Sequence, residues 1–159
     1  MPQAMATEIQ KQCETIEECY EFTLSYAARG LASDEGSGLR EQLTRAVAAI
    51  HGLKLSLERS YAETIGEEWL APLGDGKVDK DKADKFEAFF AVMKRDAEGA
   101  LAAMELVLAQ PAIGSQLIDN LNASIHLRAL LADLFLVTEI LDVRQKTAAA
   151  ARDGAGEAR

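Results

Sequence analysis

Residues 127–141 read LRALLADLFLVTEIL, and within them Leu127, Leu130, Leu134, Val137 and Leu141 recur at alternating steps of three and four. Such steps stack side chains along one side of an α-helix. The segment from Ser115 to about Lys146 reads as one helix opened by a serine cap, and it carries a second apolar row: Ile118, Leu121, Ile125, Ala129, Ala132, Leu136 and Val143. A helix lining the core of a small bundle needs one such row. The second implies either a helix sunk between its neighbours or a face covered by another subunit. The row Leu127, Leu130, Leu134, Val137, Leu141 is assigned to the subunit interface, and a homodimer is expected.

Three more helices are legible upstream. Thr7 with Gln10 forms a capping box, and Ile9, Cys13, Ile16, Tyr20, Thr23 and Ala27 make the core row of a first helix ending at Gly30. Residues 31–38 carry Ser33, Asp34, Gly36, Ser37 and Gly38, which is loop chemistry. A second helix follows from Leu39 through Leu43, Ala46, Ile50, Leu53, Leu57 and Tyr61, fading near Ile65 and Gly66. Trp69, Pro72, Gly74 and Gly76 mark a long loop up to Lys80, after which Asp79 or Asp81 caps a third helix. Its core row is Phe86, Phe90, Met93, Ala97, Leu101, Met104 and Leu108, and Pro111 and Gly114 end it.

The expected fold is therefore all-α: an antiparallel four-helix bundle, up-down-up-down, over residues 6–148, with residues 149–159 as a disordered tail. Helices of roughly 23 to 32 residues would span about 35 to 48 Å at the helical rise, so the rods match. Composition agrees, since 159 residues with 48% apolar and 27% charged side chains suffice for one domain with its own core.

A net charge of −9 and the lack of a basic patch argue against nucleic acid as a partner, and equally against an anionic membrane surface. The Leu127–Leu141 stretch is broken by Arg128, Asp133, Thr138 and Glu139, so no membrane span is expected. Cys13 and Cys19 point in different directions on one helix and have no zinc-type spacing, and the first residues show no leader pattern. Reduced thiols in a cytoplasmic protein are the expectation.

Chemistry-bearing residues are sparse. On the fourth helix, Asp119, Asn122, His126 and Asp133 share one strip, where carboxylate and imidazole together can hold a metal or tune a general base. Di-iron bundles need Glu three residues before each His, but Ala48 precedes His51 and Ala123 precedes His126. Glu14, Glu17, Glu18 and Glu21 share one face of the first helix and read as a solvated surface. Asp75, Asp79, Asp81 and Asp84 fail the calcium-loop template. Neither a phosphate-binding glycine loop nor a nucleophile elbow occurs. Cys13 and Cys19 have no activating base nearby.

The expected function is thus a non-enzymatic interaction or assembly module, a homodimer or a partner of another protein, chaperone-like in its acidity and size. No catalytic residue, metal ligand or cofactor is assigned. The alternative is a bundle that binds a small molecule or metal, or an enzyme, with an internal pocket using Tyr20, Tyr61, Asn122, His126 and Asp133.

Overall fold

The computed structural model describes residues 2–59 and 80–156. Among these the chain is helical, without strands: α1 (Pro2–Ala27), α2 (Leu39–Glu58), α3 (Lys80–Leu108), α4 (Ser115–Ala123) and α5 (Ile125–Gly156). The end of the expected second helix from Tyr61 to Gly66, the expected long loop with Trp69 and Asp75, and the Asp79 cap lie outside the described residues.

The helices form where the apolar periodicity places them. Leu39, Leu43, Ala46, Ile50, Leu53 and Leu57 are all buried on α2, and Phe90, Met93, Ala97, Leu101 and Met104 on α3. α1 begins at Pro2 rather than at the Thr7 box. Proline is well suited to a first helical turn, because its missing N–H would have had no partner there. α5 continues to Gly156, through most of the stretch expected as a tail. The alanines at positions 148–151 are strong helix formers, which favours that continuation.

Among the described helices, α1 packs on α2, α2 on α3 and α3 on α5, while α4 packs chiefly on α1. One buried cluster runs through all five, with Ile9, Cys13 and Ile16 from α1 and Ile118 and Leu121 from α4. Buried polar side chains are few, and Thr23 and Asn122 pair with each other at 2.8 Å. Thr23 Oγ1 also lies 2.9 Å from the Tyr20 carbonyl. The Thr23 hydroxyl, with its one proton, is shared between the Asn122 Oδ1 and the Tyr20 carbonyl, and Asn122 Nδ2 is left buried without a partner.

The segment expected as one fourth helix is two. Ser124 takes φ −57° and ψ 129°, which breaks the ladder after Ala123. Its carbonyl then accepts the first bond of α5, from the Arg128 N–H at 3.1 Å. A residue with extended ψ whose carbonyl opens the next helix is an N-cap, a position serine favours. The break shifts the buried phase. Ile118 and Leu121 are buried on α4, yet Ile125, one heptad beyond Ile118, is 75% exposed and Leu127 takes the inward place.

At one end the α1–α2 and α3–α4 connections are tied together. Gly30 and Gly38 take φ of 67° and 80°, conformations that side chains resist, and let the first connection turn sharply. Tyr26 donates its hydroxyl to the Ile113 carbonyl at 2.6 Å. Ser115, read above as a helix cap, is the first residue of α4 after a Gly114 cap. Its hydroxyl donates to the Tyr26 carbonyl at 2.7 Å and accepts the Leu31 N–H at 2.9 Å.

Arg40 completes the tie. Its guanidinium pairs with Asp34 at 2.7 Å and donates to the carbonyls of Leu108 and Gln110 at 2.9 and 2.7 Å. The carbonyls at the end of α3, which have no partner within the helix, are met by a cation there. Asp34 also accepts the Ile113 N–H at 2.8 Å. That bond, helped by Arg40 and opposed by burial, holds the Asp34 carboxyl below its ordinary pKa.

Candidate functional site

α5 presents three different sides. The inward side carries Leu127, Leu130, Leu134, Val137 and Leu141, each at most 4% exposed and covered by the chain's own helices. The row assigned above to a subunit interface is therefore the core row of the chain. The physical reason is the break at Ser124: it lets α5 turn this row inward, independently of the Ile118 and Leu121 row of α4.

The outward side carries the apolar surplus instead. Ile125, Phe135, Leu136 and Val143 are 75%, 53%, 52% and 52% exposed, and Ala132 between them is exposed too. Of seven large exposed hydrophobic side chains among the described residues, these are four, while Leu24, Leu55 and Leu106 stand one to a helix. Scattered single residues are ordinary, but four large apolar side chains exposed along one side of a single helix make a candidate contact surface. Arg128 and Glu139, both exposed, are the charged members of this outer row.

The third side of α5 faces α3. Here Asp133 meets Asp96, and His126 lies against Gly99, whose missing side chain leaves it room: a Cβ there would sit 2.9 Å from the imidazole Nδ1. Asp133 Oδ2 is buried without a hydrogen-bond partner. Burial first, and then the neighbouring Asp96 carboxylate, push the Asp133 carboxyl up to about 7. A second carboxylate beside a half-buried one disfavours its charged form, which is why Asp133 holds its proton more tightly than a free carboxyl does.

The residues expected to line a pocket are not gathered in one place. Tyr20 borders a cavity of about 10 Å³ together with Cys19, Thr23, Leu43, Met104 and Leu127. That volume is at the limit for a single water molecule and far below a ligand site. Asn122 is on the α1 side through its bond with Thr23, whereas His126 and Asp133 lie against α3. The strip from Asp119 to Asp133 is divided by the Ser124 break, and Tyr61 lies outside the described residues.

Other chemistry-bearing side chains are occupied structurally. His51 pairs with Glu105 at 3.2 Å on an exposed surface, as Lys54 does with Glu98 at 3.6 Å and Lys94 with Glu58 at 3.2 Å. Pairs of this kind add little stability. Cys13 and Cys19 are buried free thiols, and burial pushes both up to about 11. A thiol so hard to ionise is a poor nucleophile. Among the described residues no three His, Cys, Asp or Glu side chains are grouped to hold a metal, and no helix is long and apolar enough to cross a membrane.

Comparison of the chain with protein-family models, with curated proteins and with solved structures finds no match.

Proposed function

We propose that this chain is a non-enzymatic helical association module whose working surface is the outer side of α5, acting as a homodimer or with another protein. The observation that carries this reading is the concentration of exposed Ile125, Phe135, Leu136 and Val143 on a helix whose opposite side already fills the core. From Ile125 to Val143 this row spans about 27 Å of helix axis, long enough to seat another helix along its length. A row this apolar costs free energy in water and recovers it when covered.

The architecture we assign is an antiparallel up-down-up-down bundle in which α4 and α5 form one broken rod. The contact registers support it. Glu18 meets Arg45 and Gln12 reaches Gly52; Lys54 meets Glu98 and Glu58 meets Lys94. Gly99 approaches His126 and Asp96 approaches Asp133, while Thr23 reaches Asn122 and Gln10 reaches Asp142. In each pair of rods the numbers rise on one helix as they fall on the other. Such a bundle is a stiff scaffold, and it presents the outer side of its last rod without bending it.

We further assign the chain to a reducing compartment, the cytoplasm, on the two buried free thiols. The test of the functional reading is the molar mass of the purified protein by light scattering, followed on serial dilution alongside Phe135→Glu. An association-competent wild type whose complex is lost in the variant supports the reading. A complex that survives Phe135→Glu unchanged contradicts it.

A further inference from the structure

The charges on the outer side of α5 are arranged to fit a second copy of the same helix. Arg128 and Glu139 are its two exposed charged residues between Ile125 and Val143, and neither makes an ion pair within the chain among the described residues. They are equidistant from the point midway between Asp133 and Leu134. Ala132 and Phe135 are equidistant from the same point. A two-fold axis through it, perpendicular to the helix, lays a second α5 antiparallel along the first. Arg128 then faces Glu139 of the second copy at both ends, and the small Ala132 receives the large Phe135 ring at the centre, twice.

We propose that the occupant of this face is a second copy of the chain, paired α5 to α5 in that antiparallel register. The proposal rests on the reading of the outer side of α5 as an association surface and adds the partner and its alignment. A two-fold contact must be self-complementary, and this row is so in both charge and size. It is also locally neutral, with one cation and one anion, although the whole chain carries a net charge of −9. Two such acidic molecules repel one another at most surfaces. A neutral apolar strip is where that repulsion is weakest, whereas a basic partner would gain more from the acidic face of α1, with Glu14, Glu18 and Glu21 exposed.

The test is a charge exchange read by sedimentation equilibrium, with helicity and melting temperature checked by circular dichroism. Both substituted positions are exposed on a helix, so the variants should fold like the wild type. Arg128→Glu places Glu opposite Glu twice, and Glu139→Arg places Arg opposite Arg twice, so each alone should dimerise about tenfold more weakly than wild type. An equimolar mixture of the two variants pairs Glu with Arg at both ends and should recover wild-type affinity as a heterodimer. The double variant should recover it as a homodimer.

A wild-type dimer abolished by Phe135→Glu but indifferent to these charge variants overturns the register and leaves the association reading standing. Single variants that weaken association without rescue in the mixture also overturn it. A wild-type dimer insensitive to Phe135→Glu as well removes both. A wild type that is monomeric throughout overturns the self-pairing, and restricts the association reading to a different protein partner.

Discussion

Two clusters of polar residues lie at opposite extremes of satisfaction. In the tie between the α1–α2 and α3–α4 connections, Asp34, Arg40, Tyr26 and Ser115 exchange bonds of 2.6 to 2.9 Å with each other and with the backbone. In the α3–α5 groove, Asp133 meets a second carboxylate and leaves one oxygen without a partner. A buried polar network stabilises when every member is satisfied and costs free energy when one is not. The first cluster fastens the bundle, and the second burdens a helix whose other free side is apolar and exposed. Stability and surface are thus divided between the ends and flanks of the same rods.

The sharpest way to break this contrast is to remove the centre of the tie. Asp34→Ala strands the Ile113 N–H and deprives Arg40 of its carboxylate, and should cost about 3 kcal/mol, a fall of roughly 6–12 °C in Tm. Tyr26→Phe removes one buried hydroxyl and strands one carbonyl. Chemical denaturation should report a loss of about 1.5 kcal/mol.

The groove should respond in the opposite direction. Asp133→Asn removes the carboxylate repulsion and should stabilise the protein at pH 8 by about 1 kcal/mol once solvent screening of a partly exposed group is allowed for, or roughly 2–4 °C in Tm. The smallest effect on stability belongs to the outer side of α5. Phe135→Glu should leave the unfolding free energy of the monomer within about 0.5 kcal/mol of wild type, while changing molar mass if the association reading holds.

The two clusters also carry opposite pH signatures. Asp34 has its folded pKa lowered, so its contribution is present above its ordinary value of 3.8 and is lost as the pH falls through the folded pKa. Asp133 has its folded pKa raised from 3.8 to about 7, so its folded form binds the extra proton and stability falls as the pH rises between those values. Thermal melts from pH 3 to pH 8 should therefore slope downward across the upper window in wild type. That slope should flatten in Asp133→Asn, and the acid limb should flatten in Asp34→Ala.

Much of the fold was legible because it depends on local periodicity. The core rows of α2 and α3 need only spacing, and every described residue read into them is buried or half-buried. The Ser124 break was not legible in the same way. Leu121, Ile125 and Leu127 are all apolar, so a continuous helix fits the pattern as well as two helices do, and the serine is the one local sign of a cap. Chaining α4 to α5 joined the buried Ile118 and Leu121 to the exposed Ile125, Leu136 and Val143 in one apparent row, and exchanged the inward and outward sides of α5. The tie was out of reach for another reason, since Asp34 and Ile113 are 79 residues apart and no local rule joins them. Of the candidate pocket residues, Asn122 was correctly placed on a helix, but its Thr23 partner and its separation from Asp133 are properties of packing.

By this proposal α5 keeps its core row inside the chain and offers its outer row to a partner. Molar mass on dilution, compared for wild type, Leu134→Ala and Leu136→Ser, tests it most directly. Leu134→Ala should lower stability by about 2–5 kcal/mol and leave the association of the folded protein intact. Leu136→Ser should leave stability nearly unchanged and weaken association. If instead Leu136→Ser associates as wild type does and Leu134→Ala abolishes association while remaining fully folded, the inner row is the contact surface and the account is contradicted.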